Sequence, residues 1–120
     1  MANTFTQLYV QVVFAVKGRQ SLIPKDQKER VHQYITGIVS KREQKLLAIH
    51  CMPDHTYILI GFKPTLCISD LMRDIKTQSS AFIRKQKITP FKFEWQEGYG
   101  AFTYAQSQVD VVCKYIHRQE

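Results

Sequence analysis

Acidic side chains are scarce in this sequence: 10 Asp and Glu stand against 17 Lys and Arg, leaving a formal charge of +7. An excess of this size suits a polyanionic partner, because the field of the whole chain speeds encounter with nucleic acid. Charge alone does not separate a nucleic-acid binder from a merely basic soluble protein. Cysteine is also sparse. Cys51, Cys67 and Cys113 are odd in number and show no CxxC spacing, which excludes a disulfide framework and a zinc ribbon and points to a reducing compartment. Glycine and proline are few, at five and four, and no repeat, low-complexity tract or linker is visible. Long apolar runs are missing too: Leu8 to Val16 contains Gln11 and is too short to span a bilayer. The opening "MANTFT" lacks the basic start of a signal peptide, so a cytoplasmic location is expected.

What remains is the composition of an ordinary folded domain, 44% hydrophobic and 22% charged over 120 residues. That length makes one compact domain, with modest surplus stability, so dimerisation would be unsurprising. The basic residues recur as Lys41-Arg42-Lys45, Arg84-Lys85-Lys87 and Lys114/Arg118 rather than as a tail, so any binding surface has to be built by folding.

Leu8, Val10, Val12, Phe14 and Val16 alternate with Tyr9, Gln11, Val13 and Ala15, which reads as a well-covered strand, apolar on one face and mixed on the other. "LIPKDQKER" opens a helix with Pro24 in its first turn and a stripe of Val31, Tyr34, Ile35, Ile38 and Val39. Leu46–Met52 and His55–Phe62 are predicted strands joined at Pro53-Asp54. Ser69 is a candidate cap for a helix with the stripe Leu71, Met72, Ile75, Phe82 and Ile83. Phe91, Phe93 and Trp95 alternate in a short extended stretch, and "GYGAFTYA" permits a bend before a last strand. Ser107 caps a terminal helix, three residues before Asp110. The order β-α-β-β-α-β-α predicts an α+β fold, a mainly antiparallel sheet with two helices on one face. The other face is left for the terminal helix and a ligand.

Three pieces converge on that open face. Residues 55, 57 and 59 share one side of their strand, which puts His55 there, while Ile58 and Ile60 point to the core. In "YIHRQ", Tyr115 and Gln119 are i and i+4 on one stripe, separate from the docking stripe Val109, Val112, Cys113 and Ile116. "FEWQEGYGAF" adds aromatic residues beside basic ones, a composition suited to stacking on unpaired bases. Taken singly, each piece has an ordinary reading as packing or solvated surface. Lys17, Arg19, Arg73, Lys76, Arg84 and Lys92, with Trp95, are the candidate DNA-binding residues.

"YVQVVFAVKGRQSLI", "LLAIHCMPDHTYILIGFKPT", "ISDLMRDIKTQSSAFI" and "FEWQEGYGAFTYAQSQVDVVCKYIHRQE" resemble, in order, the single-tyrosine HUH transposases of small prokaryotic insertion sequences, to which the REP-associated tyrosine transposases are related. The resemblance covers nearly the whole chain, and four ordered blocks are far more specific than one motif. It implies a ferredoxin-like (RRM-like) sheet, a homodimer, and cleavage and rejoining of single-stranded DNA at hairpin-flanked ends through a 5'-phosphotyrosine, with Mg²⁺ or Mn²⁺. Carried over by position, the nucleophile falls on Tyr115 in the C-terminal helix, the first HUH histidine on His55 and a third metal ligand on Gln119. The second histidine falls on Tyr57, where this sequence departs. A phenol is a poor ligand until deprotonated, so impaired catalysis is expected, and a non-catalytic single-strand-binding module or an inert relic is the alternative. His50 would lie opposite Tyr57 across a two-residue turn, and Cys51 across a three-residue turn. The resemblance also implies a further histidine-rich stretch beyond the last helix, so the single domain 1–120 is expected to be truncated at its C-terminus.

Overall fold

The computed structural model describes residues 6–119. Strands β1 (Leu8–Ala15), β2 (Lys45–Cys51), β3 (His55–Phe62) and β4 (Gly100–Tyr104) form one antiparallel sheet in the order β2-β3-β1-β4. Helices α1 (Lys28–Lys41) and α2 (Ile68–Lys85) cover one face, and α3 (Val109–His117) lies on the other. This is the α+β arrangement expected from the pattern, in the ferredoxin-like form that the resemblance implies. β1 lies between β3 and β4, with Val10, Val12 and Phe14 in the main core and Gln11 and Val13 on the face that carries α3.

The main core sits between the sheet and the helix pair. Val31, Ile35, Ile38 and Val39 of α1 and Leu71, Met72, Ile75 and Ile83 of α2 are buried against Val10, Val12, Phe14, Ile58 and Ile60. On the opposite face Val112 and Ile116 are buried against Ala48 and Leu59. At about 1.5–3 kcal/mol for each fully buried aliphatic side chain, this small cluster is sufficient to dock a two-turn helix that would not persist alone in water. A bulge between Leu46 and Ala48 changes the phase of β2. It lets Leu46, Ile49 and Cys51 join the main core while Ala48 and His50 turn toward α3.

Several local expectations shift. Pro24 precedes a 3-10 turn, Lys25–Gln27, and the α-helix proper starts at Lys28. Ser69 does not cap α2, which begins at Ile68 after Cys67. Its hydroxyl lies 3.0 Å from Cys67 Sγ, and that contact, followed by the Asp70 and Ser69 N–H groups, lowers the exposed thiol's pKa. Ser107 lies within a 3-10 turn, and the cap is made by Gln108 Oε1, which accepts from the Ala105 N–H at 3.0 Å. The last strand lies inside "GYGAFTYA" rather than after it. Of the alternating aromatics, Phe93 and Trp95 are buried and Phe91 is exposed, with a single bridge from Trp95 to Val16 as their link to the sheet.

Candidate functional site

The hairpin between β2 and β3 turns at Pro53-Asp54, with the Met52 N–H donating to the His55 carbonyl at 2.7 Å. Its tip is held from below by the segment leaving β1. The Leu22 and Ile23 N–H groups donate to the Pro53 carbonyl, and the Val16 N–H donates to that of Asp54. Asp54 then divides its carboxylate. Oδ1 lies 2.6 Å from His55 Nδ1, and Oδ2 accepts from Arg19 Nη2 at 3.0 Å. Burial alone would raise Asp54's pKa, but the hydrogen bonds from His55 and Arg19 outweigh it and hold the carboxyl below its usual range. The arrangement fixes the imidazole's orientation and leaves Nε2 as its uncommitted nitrogen. Arg19 itself is at φ +56°, next to Gly18 at φ +70°, a left-handed pair in which a non-glycine residue costs about 1–3 kcal/mol.

From His55 a row of rings runs along the open face toward α3. His55 and Tyr57 meet edge to face with centroids 5.0 Å apart, and Tyr57 and Tyr115 do so at 6.2 Å. The register explains the row: residues 55 and 57 share a face of β3, and docking Val112 and Ile116 brings the next position of α3 alongside. Burial, followed by the neighbouring Tyr115 hydroxyl, raises Tyr57's pKa, so its phenol stays protonated at neutral pH. Tyr115 is 52% exposed. Gln119 lies just past α3, and its Nε2 donates to the Tyr115 carbonyl at 3.1 Å, back onto its own helix.

His50 pairs with Tyr57 and Cys51 with Thr56, so the turn is the two-residue form. Neither neighbour adds a free donor beside His55. His50 Nδ1 lies 3.0 Å from the Ile116 carbonyl, and Nε2 lies 3.4 Å from Lys28 Nζ. Cys51 faces the main core beneath the Thr56 hydroxyl, and burial pushes its thiol up to about 12.

The donors near His55 do not fit a divalent cation. They comprise one imidazole nitrogen, the Asp54 carboxylate already shared between His55 and Arg19, a phenol held protonated, and an amide engaged with its own helix. Among the described residues no cluster of three or more His, Cys, Asp or Glu side chains is arranged to hold a metal ion.

A pocket of about 330 Å³ opens beside His55, lined also by Arg19, Tyr57 and the segment Gln96–Gly100. Sequence reasoning missed Asp54, whereas this segment is part of the "FEWQEGYGAF" stretch expected on the open face. An aspartate directly before a histidine at a hairpin tip was the available signal for the first. The second is placed by long-range contacts: Gln96 N–H to the Ala15 carbonyl, and Lys76 Nζ from α2 to the carbonyls of Gln96 and Gly98.

The expected DNA-binding side chains divide. Arg19 lines the pocket and Lys17 and Lys92 border a neighbouring depression, with Lys17 3.5 Å from Glu94. Arg73 pairs with Asp70 on the exposed side of α2. Lys76 is engaged with loop carbonyls, and Arg84 Nη1 donates to the Phe93 carbonyl. Trp95 is 9% exposed, edge to face with Phe14 and Phe93, and donates through Nε1 to Ser79 Oγ at 2.9 Å, so its ring is a core element.

Solved structures share this architecture. A protein of Deinococcus radiodurans R1 described as a transposase matches at a TM-score of 0.76 and 20% identity, over 100% of this chain and 96% of its own. A REP-associated tyrosine transposase bound to a REP hairpin matches at 0.70 and 15%, over 98% of this chain and 69% of its own. These likenesses establish the fold of a small transposase domain. Residues 4–119 match the family described as "Transposase IS200 like", and the chain belongs to that family. No curated protein matches it. No helix among the described residues is long and apolar enough to cross a membrane.

Proposed function

We propose that the chain is a single-stranded DNA-binding transposase domain of the cytoplasm, with Tyr115 as its nucleophile and its strand-cleaving activity impaired. The observation that carries this is the row His55–Tyr57–Tyr115 on one open face, the positions onto which the resemblance carries the family's two histidines and its tyrosine, with a phenol at the second. The hairpin held by the REP-associated neighbour supports a hairpin-flanked single strand as the partner.

In the uninhibited reaction the Tyr115 oxygen attacks phosphorus in line. The new ester is a 5'-phosphotyrosine, the bond from phosphorus to the 3'-oxygen breaks, and the proton lost by the phenol balances the one gained by the 3'-OH. Exchange of one ester for another is nearly isoenergetic, so the break is resealable without ATP. In the family a divalent ion assists, and the donor set of this chain is too poor to hold it. Arg19 and His55 remain to meet the phosphate.

A second reading, a non-catalytic binding module, is favoured by the raised Tyr57 pKa and by Gln119's engagement with its own helix. Incubation with a hairpin-flanked single strand, with Mg²⁺ or Mn²⁺, followed by denaturing electrophoresis separates the two. A slow adduct that disappears in Tyr115→Phe is the expected result, and fast, complete adduct formation overturns the claim of impairment. Binding should prefer single-stranded over duplex DNA and weaken steeply with salt as Lys and Arg displace condensed counterions. Equal affinity for both forms would overturn the proposed partner. A homodimer is the proposed state, and sedimentation showing only monomer at about tens of micromolar, a moderate affinity, would count against it.

A further inference from the structure

Because α3 packs chiefly on β2 and β3, the β1–β4 half of the open face stays uncovered. There a cleft of about 400 Å³ lies between the sheet and α3. Gln11 and Val13 form its floor, Phe102 and Tyr104 one side, and Val111 and Tyr115 of α3 the other. The register accounts for the grouping, since Gln11 pairs with Phe102 and Tyr9 with Tyr104. Phe102 is 55% exposed on a strand that pairs on one side only, a costly place for a large apolar ring. Its ring lies over Gly100, where a Cβ would come within 3.1 Å of the ring edge, so the glycine is what lets the ring settle against the sheet.

The floor carries a second unusual group. Gln11 is 5% exposed, and its Oε1 accepts from the Tyr104 hydroxyl at 2.9 Å. Its Nε2 has no partner among the described residues. Among those residues no fully buried side-chain nitrogen or oxygen lacks a partner, so this amide must retain an opening, and the cleft that Gln11 lines provides it. A slot with exposed aromatic rings on two sides and an unengaged donor at its base matches a flat heterocycle with acceptor atoms on its edge.

We propose that this cleft is a subsite for one unpaired nucleobase of a bound single strand, stacked on Phe102 and Tyr115 and reached by the Gln11 amide. The inference rests on the proposed binding of single-stranded DNA. The cleft adjoins the pocket beside His55, sharing Val13 and Tyr57 with it, so a base here leaves its phosphate beside Arg19 and His55. Exposed Lys114 on the same helix and Arg118 just past its end supply charge complementary to the strand. Every base has a π-face, so stacking of this kind is tolerant of sequence, while the amide adds an edge contact.

The test uses an oligothymidylate of about 12 nucleotides, within the range of single-strand site sizes, carrying one 5-iodouracil. Fluorescence anisotropy should show Phe102→Ala binding about 5- to 100-fold more weakly, the loss of one stacked base, with Phe102→Trp restoring the affinity. Phe91→Ala, which removes a still more exposed ring elsewhere, should leave binding unchanged. Ultraviolet cross-linking should map to Phe102, Tyr115 or Tyr57. Unchanged binding by Phe102→Ala, or cross-links confined to Phe91 and Tyr99, overturns the subsite and leaves single-strand binding standing. A dimer that becomes monomeric in Phe102→Ala with affinity intact overturns it in favour of a second copy. No binding by the unaltered chain overturns the proposed function and the subsite together.

Discussion

The imidazole of His50, at the end of β2, donates from Nδ1 to the backbone carbonyl of Ile116 at 3.0 Å, in the last turn of the helix that carries Tyr115. That carbonyl also accepts from the Gln119 N–H at 3.3 Å, so the imidazole adds a second bond that ties the helix end to the sheet. His50→Leu should cost about 0.5–1.5 kcal/mol, the net worth of one hydrogen bond. Amide exchange at Arg118 and Gln119, whose N–H groups close that turn, should accelerate more than exchange in α1. Equal acceleration in both helices would mean that His50 serves global stability alone.

Tyr57→His supplies a second imidazole on the face of β3 that already presents His55. Calorimetric affinity for Mn²⁺ should rise by about tenfold or more, and adduct yield on a hairpin-flanked strand should rise with it. Tyr57→His combined with Tyr115→Phe should bind the ion as tightly and form no adduct. If neither quantity changes in the single variant, the defect lies at the Gln119 end of the site.

His32 accepts from the Cys51 N–H through Nε2 at 2.9 Å, and burial lowers its pKa from 6.5. Glu29 pulls the value upward, and His50, Lys28 and His117 push it down. The unfolded chain therefore takes up this proton at a higher pH than the folded chain does. Stability rises with pH and is lost as pH falls below 6.5. Thermal midpoints should drop between about pH 7.5 and 5.5, and the drop should be shallower in His32→Gln. Superimposable profiles for the two proteins would remove His32 from the account.

Trp95 is the single tryptophan, so its fluorescence reports one place. Emission should be blue-shifted and should not be quenched when single-stranded DNA binds, because the ring packs on Phe14 and Phe93 rather than on a base. Trp95→Ala should cost about 3–5 kcal/mol as a large core truncation. Strong quenching by DNA would contradict the ring's place in the core.

Periodicity carried most of the fold. The stripes of α1 and α2 pack as their spacing implies, and β3 has the bounds read from the sequence, because alternation and the 3.6-residue repeat report burial directly. Trp95 shows the limit. An aromatic beside lysines looks like a stacking platform, and only the fold reveals Ser79 one helix away as the partner of its indole N–H. Ser69 failed for a different reason: a serine signals a cap only where the helix starts one residue later, and boundaries are set by packing that no local pattern records. Strand spacing put His55 and Tyr57 on one face, and Tyr115 was joined to them by the resemblance rather than by helix spacing. Asp54's division between His55 and Arg19 was not legible, since it depends on a contact spanning 35 residues.

The anchoring of the Pro53-Asp54 turn has a consequence for chain topology. Exposed hairpin tips are usually where insertions and new termini are tolerated. Here the carbonyls of Pro53 and Asp54 take three backbone hydrogen bonds from the residue 16–23 segment. A peptide tag or a permuted terminus at residues 53–54 would detach the connection between β1 and α1 along with the hairpin, so the most loop-like point of the sequence is among the least permissive to engineer.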